Sequence, residues 1–391
     1  MSKSSPHLIA LACGSFAIGM TEFTMMGILP NIAHDLTIDI PSAGYLIALY
    51  ALGVVVGAPT LVLLSANYAP KKVLIFLMGL FVLFNGLFAL SPNVELAMIS
   101  RFMAGLPHGA FFGIGAVVAT QLAPPGRSAQ SIAIMFTGMT IANLIGVPLG
   151  TYLGQQVSWN STYALITTTG IVTIVAIQRF IPNLPVPARG MVFKQLTYFK
   201  TREAWMMVAI ISVGTGGMFA WMSYIAPLVT EMAGVPTTQV PVIMVLAGLG
   251  MVVGNLLGGK LADSVPPHLS VIISWSVMIM CLLLVYFTAE IEFMAYIMSF
   301  LTGIASFSIS APIQMMLIRS AKGAETLAAA GGQASFNLGN TLGAYLGGLP
   351  IAMGLAFHIP SLVGVGMAFI GILLVLINQL LQKKEIATPN H

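Results

Sequence analysis

Charge is what this sequence has least of. Lys and Arg together number 15 and Asp and Glu 11 in 391 residues, only 7% of the chain, against roughly 25% in soluble domains. So sparse a charged surface excludes an ordinary water-soluble enzyme. Cysteine is scarce too: Cys13 and Cys281 both sit in apolar runs, at a spacing that suits neither a zinc site nor a disulfide framework. No Lys/Arg run exceeds two residues, so the net charge of +4 does not point to nucleic acid. Apolar sequence is what abounds, at 58% of residues and a mean hydropathy of +0.96. The main solvent of such a chain is lipid.

Crossing about 30 Å of hydrocarbon takes roughly 20 apolar residues, because every backbone polar group has to be satisfied inside the helix. Twelve segments meet that requirement: 8–33, 42–65, 72–90, 95–122, 128–157, 159–181, 204–231, 237–262, 269–289, 291–318, 325–353 and 359–381. The first is too long for a secretory signal core and is expected to be a retained span. Breaks fall at Pro41, Pro70, Pro92, Pro124-Pro125-Gly126, Pro236 and Pro266-Pro267. With a cytoplasmic N-terminus, every Lys and Arg except Arg101 falls on the inner side. The outer loops hold Asp35, Asp39, Glu95, Glu231, Glu290 and Glu292. Both termini are therefore expected to be cytoplasmic, and the basic bias is a topology signal.

The longest loop, 182–203, holds Pro182, Pro185 and Pro187 among basic residues. It reads as a linker between a first six-helix unit, 1–181, and a second, 204–391. The units repeat each other. Ile28-Leu29-Pro30 answers Ile225-Ala226-Pro227, Val55-Val56-Gly57 answers Val252-Val253-Gly254, and Gly150-Thr151-Tyr152-Leu153-Gly154 answers Gly343-Ala344-Tyr345-Leu346-Gly347. A parallel six-plus-six repeat is the plan of transporters that hold a small-molecule substrate between the halves, near the bilayer midplane. Glycine ladders in spans 2, 4, 5, 8 and 11 allow close helix approach. Those in spans 2 and 8, and in 5 and 11, are expected to form paired seams between the halves.

An ionisable group at mid-membrane costs about 2.5–3.5 kcal/mol even on the lenient insertion scale, so each one demands a reason. Three stand out: Glu22, Arg101 and His108. Glu22 lies roughly 17 Å from the outer end of its span at 1.5 Å per residue, between the depths of Arg101 and His108. It is either a carboxylate permanently paired with Arg101 or a carboxyl whose protonation follows the conformation. Only the second can exchange protons for substrate. Arg101 fits an orienting partner better than a substrate ligand, and His108 suits a proton relay or a hydrogen bond across the bundle.

The second half has Phe219, Ser299 and Ser306 at the matching places. Coupling is thus expected to reside in the first half. Candidate substrate-binding residues are Met25, Asn31 and Asn143 in the first half. In the second they are Trp221, Tyr224, Gln314, Gln333, Asn337 and Asn340, with Tyr345 a further neutral group.

Several stretches resemble the major facilitator superfamily, specifically its drug/proton antiporter branch with arabinose-efflux-like members. They are Gly19-Met20-Thr21-Glu22-Phe23, Tyr50-Ala51-Leu52-Gly53 through Pro59, Arg101-Phe102-Met103-Ala104-Gly105, Pro107 through Gly113, Asn143 through Thr151, and Ala330 through Gly339. The resemblance covers nearly the whole chain. It implies twelve helices in two pseudo-symmetric bundles, alternating access, and export of a sugar or drug-like solute against proton entry across a bacterial inner membrane. It also implies a conformational role for Gly146, Pro148 and Gly150. The branch's loop after span 2 usually carries an acid before its basic residues; here only Lys71 and Lys72 remain, while Asp263 keeps the acid in the second half.

Gly254 through Leu261 nearly spells a phosphate-binding loop, but Leu261 replaces the required hydroxyl and no strand precedes it. Neither a zinc pattern nor a catalytic triad is present. The sequence therefore reads as a membrane transporter powered by a proton gradient, with no cofactor and no enzymatic activity, working as a monomer. A passive facilitator for a sugar or nucleoside, with Glu22 structural, is the rival reading.

Overall fold

The computed structural model describes residues 6–125, 127–186, 196–321 and 325–387. The described chain is helical throughout, with no strand. The first six helices are α1 (Pro6–Asp35), α2 (Ile40–Ser65), α3 (Pro70–Ala89), α4 (Val94–Gln121), α5 and α6 (Trp159–Phe180). α5 runs from Ser128–Ile141 through a π turn at Ala142–Gly146 into Val147–Gln156. After a 3-10 turn at Leu196–Lys200 come α7 (Arg202–Met222), with a broken extension at Ile225–Pro227 and Leu228–Met232, α8 (Val240–Ser264) and α9 (Pro267–Thr288). α10 (Glu292–Phe307, then Ser310–Ser320), α11 (Glu325–Ala352) and α12 (Ile359–Ala387) complete the bundle.

Local chemistry sets the boundaries. Asp39 caps α2 by accepting from Ser42 N at 2.9 Å, and Asn93 caps α4 by accepting from Leu96 N at 3.0 Å. Proline occupies the first turn of α2, α3, α8 and α9, where its missing N–H costs nothing. Within α5, Pro148 follows the π turn directly. A proline ring removes one ladder hydrogen bond and crowds the preceding turn, which an extra residue in that turn relieves.

Eleven helices among the described residues are long and apolar enough to cross a membrane. α11 spans 28 residues but is not among them, since its sequence is diluted by Gly331, Gly332, Gln333, Ser335, Asn337 and Asn340. It packs against α7 and α2 instead of facing lipid along its length. The segment expected at 325–353 is thus a helix, and its polarity is spent inside the bundle.

The glycine ladders do not lie between the halves as expected. A Cβ on Gly53 would run into Phe102 O, and one on Gly105 into Tyr50 O, so α2 and α4 meet backbone to backbone. The second half repeats this, with Gly250 against Phe300 O and Gly303 against Ala247 O. Gly146 and Gly150 likewise face Met20 and Thr24 of α1, and Gly339 and Gly343 face Thr215 and Gly216 of α7. Close approach of small residues thus binds each half internally. The halves meet through other groups, described next.

Candidate functional site

Arg101 is fully buried on α4. Its Nη1 donates to Thr21 Oγ1 at 3.0 Å, Nη2 to Thr21 O at 3.3 Å and Nε to Leu46 O at 3.3 Å. Its guanidinium carbon lies 4.3 Å from the Tyr50 ring centroid, 5.5 Å from Phe88 and 5.6 Å from Tyr163. Three π faces and two carbonyl oxygens therefore offset a positive charge that would otherwise be costly at this depth. Thr21 Oγ1 in turn donates to Asn85 Oδ1 at 2.6 Å, fixing α1, α3 and α4 around the arginine.

Glu22 is 2% exposed on α1 and forms no ion pair with Arg101. Its Oε1 is buried with no hydrogen-bond partner in the protein. The permanent Glu22–Arg101 pair is thus replaced by something different: a satisfied arginine beside an unsatisfied carboxyl. From the second half, Asn340 of α11 faces Glu22. Both polar atoms of Asn340 are buried without meeting hydrogen-bonding geometry with any protein group.

The helical sweep of α1 explains why one short run serves so many partners. Thr21 points to Arg101, Glu22 toward Asn340, Phe23 stacks on Phe219 with centroids 6.4 Å apart, and Thr24 packs on Gly150. Successive residues on a helix face different directions, so Thr21 can orient the arginine while Glu22 meets the other half. His108 is buried one side of Tyr50, its Nδ1 3.1 Å from the Tyr50 hydroxyl, and its Nε2 has no protein partner.

The other candidates divide. Asn143 lies in the π turn, where its carbonyl packs on Gly248 of α8. Asn337 is buried but spends its amide on Gln333 O within α11. Gln333 and Asn31 are half-buried, and Gln314 is exposed. Tyr224 donates to Ala344 O at 2.7 Å and would be struck by a Cβ on Gly44 of α2. Met25 is buried in the core, and Trp221 lines a cavity of about 20 Å³ whose lining residues all belong to the second half. Gly146 and Gly150, flanking Pro148, hold α5 on α1. Lys71 donates to Gln178 O at the end of α6, while Lys72 and Asp263 are exposed; Asp263 forms no ion pair among the described residues.

Besides the α5–α8 contact at Asn143 and Gly248, the halves touch along the beginning of α2 and the end of α11. Thr341 Oγ1 donates to Ala48 O at 3.2 Å, Tyr45 stacks on Tyr345 at 6.1 Å, and Tyr224 packs on Gly44. Tyr50, Thr21 and Asn85 escape a reading based on charge alone. The signal that could have found them was a polar residue at arginine depth on each neighbouring span.

A helical bundle too apolar for water, with one ionisable cluster at the contact of two repeated halves, is the body of a multi-pass membrane transporter and not of an enzyme. The chain belongs to the major facilitator superfamily, whose family model matches residues 11–344. It is 40% identical over 362 residues to AraJ of Escherichia coli (strain K12), covering 93% of this chain and 92% of that protein. It is 38% identical over 389 residues to the inner membrane transport protein YdhP of the same strain, covering 99% and 100%. Among solved structures, a D-xylose-proton symporter superposes with a TM-score of 0.75 at 14% identity, covering 95% of this chain and 96% of that one. That likeness concerns the fold.

Proposed function

We propose that this transporter exports a small neutral or weakly charged solute, a sugar or a drug-like molecule, in exchange for protons by alternating access. The six-helix units 1–181 and 204–391 move about the joint spanned by 182–203, in a bacterial inner membrane with both termini cytoplasmic. On that topology the contacts of Thr341, Tyr45 and Tyr224 close the outer side, and the conformer is one that receives solute from within.

The observation that carries the reading is Glu22: an acid buried where the halves meet, its Oε1 unpartnered and no ion pair formed with the neighbouring Arg101, whose hydrogen bonds go to other groups. Closing the halves over a bare carboxylate strips its water without compensation, which is costly in an apolar medium. Proton binding from outside removes that cost and lets the empty transporter return inward. Solute arriving from the cytoplasmic side then displaces the proton to the cytoplasm. Each turn therefore moves solute and protons in opposite directions.

The test uses proteoliposomes with an imposed pH gradient and a panel of D-xylose, uridine and ethidium. Wild type is expected to drive at least one of them uphill. Glu22→Gln keeps the fold and gradient-free exchange and loses the driven flux. Undiminished driven flux in Glu22→Gln refutes the assignment. Equilibration without uphill movement in wild type identifies the passive facilitator instead.

A further inference from the structure

Tyr50 opens one of the stretches that carry the resemblance but has no part in the proposed cycle, yet it lies against Glu22, Arg101 and His108, the three ionisable groups singled out in the span interior. It is 1% exposed, its ring lies under the Arg101 guanidinium at 4.3 Å, and its hydroxyl is 3.1 Å from His108 Nδ1. The charged and titratable groups facing it are Glu22 from α1, Arg101 and His108 from α4, and Tyr163 from α6. Gly105 lets α4 press onto the Tyr50 carbonyl, so the backbone that carries the ring is held as tightly as any in the bundle.

We infer that Tyr50 is a positioning residue that sets the protonation form of His108 and ties it to the Arg101–Glu22 site. In this arrangement the phenol O–H is the donor and Nδ1 the acceptor of the 3.1 Å contact, which for a neutral His108 puts the ring proton on Nε2, the nitrogen without a protein partner; the opposite tautomer would reverse the bond. Nε2–H is then a buried donor aimed away from Tyr50 and left without a protein partner. Because the same phenol ring faces the guanidinium, a shift of Arg101 moves Tyr50 and with it the hydrogen bond that fixes the imidazole. The role deepens the proton-exchange reading and rests on it for its purpose, but the Tyr50–His108 linkage is separately measurable.

The experiment needs no transported solute. Protein labelled with 15N-histidine in nanodiscs is titrated by NMR, with His108 assigned by the signal lost in His108→Gln. In parallel, the infrared carboxyl band of Glu22 is followed, assigned by its loss in Glu22→Gln. Wild-type His108 is expected as the Nε2–H form. Tyr50→Phe keeps the ring over Arg101 and removes only the hydroxyl. It is expected to mix the two ring forms of His108 and to move its titration midpoint by about half a pH unit or more, the scale of one lost hydrogen bond. The Glu22 band should shift in the same variant.

His108 signals identical in Tyr50→Phe and wild type overturn the inference, as does a wild-type ring protonated on Nδ1. A changed His108 with an unmoved Glu22 band overturns the link between the two sites. A wild-type Glu22 band that never titrates sinks the proton-exchange reading instead, and leaves the Tyr50–His108 result to be judged by the NMR.

Discussion

The two halves of this transporter share a frame and differ in what the frame encloses. Gly53 and Gly105 join α2 to α4 as Gly250 and Gly303 join α8 to α10, each glycine opposed to a backbone carbonyl. At the places that correspond to Arg101 and Phe88, however, the second half has Ser299 and Val285. Both line the small cavity beside Trp221. Ser299 Oγ bonds to Ala295 O in its own helix and asks nothing of its neighbours. Duplicated backbone packing therefore tolerates loss of the charged centre in one copy. The half that keeps the charge must surround it with rings and oxygens.

The comparison can be broken at several points. The largest effect is expected from Arg101→Ala, which leaves the carbonyls of Thr21 and Leu46 unpaired and empties the ring box; a loss of roughly 3 kcal/mol is expected in thermal or denaturant unfolding in detergent. Ser299→Ala at the matching place should stay within about 0.5 kcal/mol, since its hydroxyl is satisfied locally. Equal losses at the two positions would remove the asymmetry. Next come Gly53→Val and Gly250→Val. Both drive a side chain into a backbone oxygen and should cost about 1–3 kcal/mol, by similar amounts in the two halves. A tolerated valine at either one would mean that its seam is not closed.

The smallest expected effect concerns caps. Asp39 caps α2, whereas Gln239 at the start of α8 makes no side-chain cap bond. Hydrogen bonds from Ser42 hold the Asp39 carboxyl below its ordinary value. Its contribution is therefore present in full above about pH 3.9, the unfolded value, and fades as the pH falls through the lower folded value. Asp39→Ala should cost about 1 kcal/mol at neutral pH. That deficit against wild type should shrink in strongly acid unfolding experiments. Gln239→Asp should gain a fraction of the same amount.

Much of this was legible beforehand because lipid imposes a simple rule. Segment lengths located eleven helices of spanning character, Pro41, Pro70 and Pro267 lie in the first turns of their helices, and Pro236 precedes the short 3-10 turn that leads into α8. α11 shows where composition misleads: it packs on α2 and α7 and turns Asn340 toward Glu22 of α1, facts of packing that no hydropathy window contains. The breaks at Ser223–Tyr224 in α7 and between Phe307 and Ser310 in α10 were likewise hidden, because they depend on how a helix meets its neighbours. At the site, Glu22, Arg101 and His108 announced themselves by their cost in hydrocarbon. Tyr50, Thr21 and Asn85 did not, since a hydroxyl or amide in a span is common.

The amino-acid order alone determined that this chain lives in a bilayer as a set of helices in two related sixes, because burying backbone and charge in lipid leaves so few solutions. Tertiary structure alone decided that the glycine ladders bind each six internally, that Arg101 is matched by rings and carbonyls, and that Glu22 faces Asn340 where the sixes meet with its Oε1 unpartnered. Those outcomes depend on which faces of separate helices come together, and a hydrogen bond or a stacked ring extends only a few ångströms from its own face.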